Sequence, residues 1–455
     1  MSRRITRRRA LAASAAGLGY LYTAPATAQP AGSNARLKVV GIGVGGKGSS
    51  DIDQAGNLME VVGLCDVDAE TLGGKAKKWP TAKTFTDYRR VFDDAELMRT
   101  ADAFTVSTPD HNHAVPAVLA MRARKGVYCQ KPLTHDVAEA HLLRDEAKKN
   151  NVCTQMGNQG TAANGLRKAV ELIQAGELGA VTEVHVWTNR PVWPQAPTIV
   201  ARPKEAPVPT GLDWESWLGV APARPYSGPN KARGGPYHDF KWRGFWDFGT
   251  GAIGDMACHT ANMAFMALRL GHPTKVSGEA GDLNPETCPS WAKVKIEFPA
   301  RGTMPAVNLF WYEGKKDGAK VLPPAELVAK AVALTPMRKG LVDSGSIVVG
   351  ARGIAYSPDD YGANVFFETG KQTGNNTAPE KLAVNNAGDQ GQKNEWVAAM
   401  RANKPELALS NFDYAGLLTA AFLLGNVAIR TGKPFTWDGA ACRAPGAGAC
   451  WAYIW

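Results

Sequence analysis

The sequence predicts a doubly wound α/β domain followed by an α+β domain with an open, mostly antiparallel sheet. Three observations carry that prediction. Over residues 36–155, short continuous apolar runs alternate with helix-like segments, the pattern of parallel strands buried on both faces. Beyond residue 181, most runs alternate apolar with polar residues, as in a sheet with one solvated or partner-facing side. The length of 455 residues, with 44% hydrophobic and 21% charged positions, suits two or three domains and excludes a disordered chain.

The first run, residues 37–42, is a strand that leads directly into Gly43-Val44-Gly45-Gly46-Lys47-Gly48. Gly43, Gly45 and Gly48 meet the spacing G-x-G-x-x-G, whose glycines permit a tight turn, close approach of backbone to a pyrophosphate, and close helix packing. Gly41, Gly43 and Gly46 fit the same spacing, but only the Gly43 register leaves a full strand before the turn. A second strand, residues 61–65, ends at Asp66, about where the fingerprint expects an acidic residue to accept the ribose hydroxyls. A carboxylate there repels a 2′-phosphate, so NAD is favoured over NADP. This is the signature of an N-terminal Rossmann dinucleotide-binding domain.

The third strand, residues 103–107, ends in Thr108-Pro109-Asp110-His111-Asn112-His113. A helix with Val115, Val118, Leu119 and Arg122 on one stripe should follow. The next strand, 127–129, ends in Gln130-Lys131-Pro132. Carboxyl ends of parallel strands line the ligand crevice, so both polar clusters point at one place. Thr108, Pro109, His111, His113 and Lys131 are accordingly expected at the cofactor, with at least one histidine near the nicotinamide or its ribose. Residues 152–156 are strand-like, and Leu166, Val170 and Ile173 form a helical stripe. Further strands are expected at 181–189, 275–280, 292–298, 307–312, 346–350 and 353–357. Met256, Met263, Ala267 and Leu270 predict a helix over 252–270, with a short helix within 323–343 and two late helices over 392–403 and 413–431. Residues 191–235, rich in proline and tryptophan, read as a long loop of lid or oligomer-contact type.

With these motifs in hand, the chain resembles the Gfo/Idh/MocA family of sugar and cyclitol oxidoreductases over residues 36–435. The matching pieces are the glycine turn, Asp66, the T-P-D-H-N-H segment, Gln130-Lys131-Pro132, and Asp255-Met256-Ala257-Cys258-His259. One departure is Gln130, where the family commonly has Glu. The resemblance implies that Lys131 and His259 contact the reacting hydroxyl, with His259 as general base and Lys131 polarising the oxygen. Asp255, four residues before His259 and so on the same helical face, would orient the substrate and bias the charges of the pair. Arg243 and Trp246, in an aromatic and polar segment, are expected to contact substrate. The late helices are expected beside the nucleotide domain.

The net charge of +10 divides by location. Five arginines, Arg3, Arg4, Arg7, Arg8 and Arg9, precede a weakly apolar stretch and Ala26-Thr27-Ala28, the form of a twin-arginine export signal cleaved after Ala28. The remainder carries an excess of +5, an ordinary surface that gives no reason for a nucleic-acid partner. No uninterrupted apolar run reaches the ~18 residues of a spanning helix. The expected organisation is a signal at 1–28, a linker at 29–35, the NAD-binding domain at 36–155, a substrate and oligomerisation domain at 156–388, helices at 389–435 and a tail at 436–455. Five of the seven cysteines read as buried hydrophobes, whereas Cys442 and Cys450 bracket a Gly/Pro/Ala-rich segment and either pair or stay free. There is no C-x-x-C or H-E-x-x-H, so no metal site is expected. The expected activity is NAD-dependent oxidation of a secondary hydroxyl on a sugar, sugar derivative or cyclitol, by a periplasmic homo-oligomer that retains its cofactor. An NAD-dependent glycoside hydrolase and an inactive carbohydrate-binding protein are the alternatives.

Overall fold

The computed structural model describes residues 36–229 and 234–448. The stretch expected to be an export signal, the expected linker and Cys450 lie outside the described residues. Six parallel strands form the first sheet: β1 (Lys38–Ile42), β2 (Glu60–Cys65), β3 (Lys83–Phe85), β4 (Ala103–Val106), β5 (Gly126–Cys129) and β6 (Thr154–Met156), in the order β3-β2-β1-β4-β5-β6. Helices on both faces bury Val39, Val40, Phe104, Val106 and Val127 completely, which is why these strands read as unbroken apolar runs. Nothing in the sequence marks β3, because Lys83, Thr84 and Phe85 sit exposed or half-buried at the sheet edge. The order reverses between β1 and β4, and the turns that follow their carboxyl ends border a crevice.

The second sheet comprises β7 (Val181–Trp187), β8 (Lys275–Gly281), β9 (Trp291–Phe298), β10 (Val307–Lys316), β11 (Ala319–Lys320), β12 (Gly345–Gly350), β13 (Gly353–Ser357), β14 (Val365–Phe367), β15 (Gln372–Thr373) and β16 (Phe435–Thr436). Its order is β15-β14-β13-β12-β7-β10-β9-β8-β16, with β11 beside β10. Only β7 and β10 run parallel among its pairs. In β9, Ala292, Val294, Ile296 and Phe298 face the core while Lys293, Lys295 and Glu297 face outward, the expected period of two. Where β7, β12 and β13 meet, the outer face is not solvated. The short helix Ala325–Ala333 covers Trp187, Tyr312, Ile347 and Tyr356 there.

The helices that position the site are α1 (Gly46–Gly56), α2 (Ala114–Arg122), α3 (Val137–Asn150), α4 (Asn164–Gln174), α5 (Gly251–Thr260), α6 (Asn262–Ala267), α7 (Gly388–Ala402) and α8 (Phe412–Thr431). The single helix expected over 252–270 is two, divided at Ala261, which keeps its N–H bond to the Ala257 carbonyl, so the apolar stripe continues past the division. α7 packs against α1, β5 and β6, and Trp396 joins the core that holds Val39 and Tyr128. α8 is long and apolar enough to cross a bilayer, but most of it is buried against α3, β8 and β9, the setting of a core helix. The loop from residue 191 carries its own small core, in which Trp214 and Trp217 stack with centroids 4.7 Å apart beside Tyr226, Tyr237 and Phe248. Backbone bonds from Ala69 to Gly211 and from Asp213 to Val67 fasten it to the segment after β2.

Candidate active site

At the crevice, a cleft of about 460 Å³ runs from the glycine turn to Lys131 and Arg243. Gly43 has φ +74°, and a Cβ there would lie 2.8 Å from the Ser107 carbonyl. A Cβ on Gly48 would fall 1.9 Å from the Gly43 oxygen, so α1 closes on the turn only because both residues are glycine. The amide N–H groups of Val44 and Gly45 donate to Asp66 Oδ2 at 2.9 and 3.1 Å, and that of Asp68 to Oδ1 at 3.0 Å. Burial raises the Asp66 carboxyl above its ordinary pKa in spite of these bonds. Gly43→Ala should weaken NADH binding tenfold to a hundredfold, since its left-handed backbone and the fixed Ser107 backbone leave a methyl nowhere to go. Fluorescence titration of NADH checks this, and an unchanged affinity would place the nucleotide elsewhere.

The T-P-D-H-N-H segment turns away from β4 through a short 3₁₀ helix, Asp110–Asn112. Thr108 and Pro109 line the cleft, and the buried Thr108 hydroxyl has no hydrogen-bond partner among the described residues. His113 also lines the cleft, with Nε2 2.7 Å from the Thr108 carbonyl and Nδ1 2.9 Å from that of Pro132. It thereby ties the turn after β4 to the turn after β5. His111 is placed differently from expectation. Its ring nitrogens lie 3.2 and 3.0 Å from the Phe248 and Trp217 carbonyls, and its ring packs between those two side chains behind the cleft wall. It joins the turn to the aromatic loop and does not line the cofactor cleft.

Beyond the cleft, α5 brings Asp255 and His259 to the end of β5. Lys131 Nζ donates to Asp255 Oδ1 at 2.7 Å and to the Asp255 carbonyl at 2.8 Å. Arg243 Nε adds a bond to Oδ1 at 3.2 Å while its guanidinium stacks on Trp242 and Phe240. Burial alone would raise the Asp255 carboxyl, but the charges of Lys131 and Arg243 overcome it and hold the group well below the carboxylate range. Its carboxylate is thus committed to the lysine and the arginine. His259 is 5% exposed, and burial with the positive charge of Lys131 pushes its pKa down to about 3. Its Nδ1 has no hydrogen-bond partner among the described residues.

Trp246 does not face this site. Its ring stacks with Arg430 at 4.9 Å, its Nε1 donates to the Asn284 carbonyl, and its own carbonyl lies 2.9 Å from His135 Nε2. Arg243 lines the cleft, whereas Trp246 lines a separate recess with His135, Thr250 and Arg430. Three residues without a motif complete the polar compartment around Asp255. Arg190, just past β7, brings Nε to 3.7 Å from Asp255 Oδ2 and makes no hydrogen bond through it. Tyr361 meets the His259 ring edge-on at 5.2 Å, and the adjacent Asp360 holds an unpaired buried Oδ1. Among the described residues no group of three or more ligating side chains could hold a metal ion.

Comparison with known proteins agrees with this architecture. The family model described as "Oxidoreductase family, NAD-binding Rossmann fold" matches residues 36–158, and its "C-terminal alpha/beta domain" matches 160–304; together they span more than half of the chain. Inositol 2-dehydrogenase of Salmonella typhimurium is 28% identical over 154 residues, 33% of this chain and 45% of that protein. Levoglucosan dehydrogenase of Pseudarthrobacter phenanthrenivorans is 21% identical over 206 residues, 44% of this chain and 40% of that protein. The matched region thus spans less than half the length of these curated relatives. Among solved structures, aldose-aldose oxidoreductase from Caulobacter crescentus in complex with glycerol superposes with TM-score 0.56 at 14% identity, covering 89% of this chain and 100% of that one. Levoglucosan dehydrogenase in complex with NADH and levoglucosan gives TM-score 0.55 at 14% identity, covering 88% and 99%. At such identities these two likenesses show the fold, and the family models supply the kinship: the chain belongs to the Gfo/Idh/MocA oxidoreductase family.

Proposed function

We propose that the protein is an NAD-dependent oxidoreductase acting on a secondary hydroxyl of a sugar, sugar derivative or cyclitol. The observation that carries this reading is that Lys131, which lines the nucleotide cleft, bonds Asp255 just beyond it, with a buried His259 one helical turn on along α5 and close enough to feel both charges. The residues lining the cleft fit a dinucleotide: the glycine turn with its close-packed backbone, and Asp66 at the end of β2. Bound NAD would supply the hydride acceptor. Lys131 has three N–H bonds, of which two go to Asp255, and the third is available to a substrate oxygen. Neutral His259 takes the hydroxyl proton as the carbon–hydrogen bond gives up its electron pair and the carbonyl forms. A histidine with so low a pKa is a weak base at rest, but negative charge developing on the adjacent oxygen raises its proton affinity as the proton moves. The kinship of the chain with proteins named for inositol and levoglucosan supports the substrate class.

The acid side of the pH profile tests the role of His259. With its pKa near 3, kcat/KM should show no limb at the ordinary histidine value of about 6.5, changing less than about twofold from pH 5 to 7. A limb near 6.5 that disappears in His259→Asn would show a solvent-accessible histidine and sink the buried-base assignment.

We further propose that the arginine-rich terminus exports the folded protein with nucleotide aboard and that the cofactor is retained between turnovers. An exported dehydrogenase has no cytosolic pool to reoxidise NADH, so the bound nucleotide must be recycled on the enzyme. Native mass spectrometry of purified protein, followed by denaturing release, should show one dinucleotide per chain and identify NAD against NADP. Finding no nucleotide, and no gain on adding NAD, would undo the enzyme reading. Incubation with aryl glycosides separates dehydrogenase from hydrolase, because aglycone release without net NADH belongs only to the second.

A further inference from the structure

Behind the cleft wall, Asp51 of α1 is fully buried and its carboxylate takes four donors. Oδ1 accepts from Lys393 Nζ at 2.7 Å and from Lys47 Nζ, while Oδ2 accepts from Ser107 Oγ at 2.9 Å and Gln130 Nε2 at 2.8 Å. Lys393, on α7, is fully buried as well, and donates also to Asp389 Oδ1 at 2.8 Å and the Tyr128 hydroxyl at 2.9 Å. Asp389 Oδ2 accepts from Lys47 at 2.8 Å. Two lysines and two aspartates thereby balance across α1 and α7, leaving room at position 130 for a neutral donor and none for another anion.

A carboxylate only accepts hydrogen bonds, so the Gln130 amide must turn its NH₂ to Asp51, which directs its oxygen to the Lys131 backbone N–H at 3.4 Å. Gly157 packs directly against this amide: a Cβ there would lie 2.5 Å from Nε2, so the space the amide occupies depends on glycine at 157. Gln130 is 6% exposed and borders the cleft next to Lys131. On one side it grips the helix whose amino terminus forms the nucleotide turn. On the other it fixes the backbone from which Lys131 reaches Asp255.

We infer that Gln130 is a positioning residue that couples the nucleotide-holding helix α1, through Asp51, to the placement of Lys131. The inference rests on the NAD-dependent reading of the same cleft. A glutamate at this position would set a second carboxylate against Asp51 in a buried site, where the two repel and one must move or take up a proton. Movement of Gln130 shifts Lys131, and movement of Asp51 shifts α1.

Three variants test this: Gln130→Glu, Asp51→Asn, and the two together. In the double variant the amide introduced on α1 keeps its oxygen toward the lysines and turns an N–H toward the carboxylate introduced after β5. The bond is thus reversed with the net charge restored. Gln130→Glu should lower kcat at least tenfold with KM within threefold, and weaken NADH binding, measured by fluorescence titration, about threefold to tenfold. The double variant should recover both to within about threefold of the unmodified protein. Recovery is a readout that loss of packing alone does not produce. Should Gln130→Glu fail to fold, Gln130→Met, neutral and of similar size, is expected to fold and to lower kcat about fivefold. Wild-type kcat and NADH affinity in Gln130→Glu or Gln130→Met, or equal impairment of the single and double variants, would overturn the proposal. If the unmodified protein binds no NADH, the cofactor reading falls and this one with it; if it binds NADH and the variants are indifferent, only the positioning role falls.

Discussion

Replacing Lys131 by methionine is expected to lower turnover about a thousandfold while leaving NADH affinity within a few fold. The size follows from the role: loss of a proton-transfer or oxygen-polarising group in a closed site typically removes 10² to 10⁴ of rate. The separation of the two effects follows from geometry. Lys131 Nζ is directed at Asp255, and its two bonds there go to α5 and hold no part of the glycine turn. Methionine keeps most of the side-chain volume. Asp255 is not stranded by the change, because Arg243 remains at 3.2 Å and Arg190 at 3.7 Å to stabilise its buried charge. The fold should therefore survive, and kcat measured beside NADH titration and thermal melting checks all three statements. A variant that binds NADH normally and loses less than tenfold in kcat would remove Lys131 from the chemistry. One that loses NADH affinity in proportion to turnover would move it to the cofactor.

The same geometry shows what can be read from a single sequence. Gly43, Gly48, Asp66, Lys131, Asp255 and His259 are legible as candidates because each belongs to a short motif whose spacing is fixed by local structure. A strand must end for the turn to begin, and positions i and i+4 of a helix share a face. The central strands are legible for a related reason: burial on both faces leaves them almost wholly apolar. What fails to show is whatever depends on distant pieces of chain meeting. Arg190, Asp360 and Tyr361 arrive at the compartment around Asp255 and His259 from β7 and from the segment after β13, and nothing in their own neighbourhoods marks them. Lys393 reaches Asp51 across 342 positions, and from sequence it is one more lysine on a helix. The errors have the same origin. Trp246 and His111 lie close in sequence to site residues, but closeness along the chain does not tell which side of a turn a side chain takes. Both are drawn into packing by rings contributed from elsewhere, or by Arg430 of α8.

Behind the site, one buried acid should govern stability in the neutral range. Glu313 of β10 is 2% exposed; it accepts from Trp311 Nε1 at 2.6 Å and from the backbone N–H of Ile253 in the first turn of α5. Burial raises its pKa to about 7, and those two donors only partly offset the effect. The native state therefore binds the proton more tightly than the unfolded chain, whose glutamate titrates near 4.5. Below pH 4.5 both states are protonated and there is no penalty. As pH rises from 4.5 through 7, folding requires either proton uptake or burial of a charge, so stability falls, by an amount on the order of 3 kcal/mol for a shift of this size. Glu313→Gln imitates the protonated acid and keeps an oxygen for Trp311, though its new N–H groups must find partners in a tight place. It should therefore stabilise the protein by about 1–3 kcal/mol at pH 8.5, give no gain at pH 4.5, and flatten the slope of stability between them. Urea unfolding at pH 4.5, 7 and 8.5 reads this directly. An identical pH slope in the two proteins would mean that Glu313 is already paired or hydrated when the chain folds. A flatter slope would locate the pH sensitivity of the fold at the amino terminus of α5, the helix that carries Asp255 and His259, so that deprotonation of Glu313 loosens the support of the site before it reaches the chemistry.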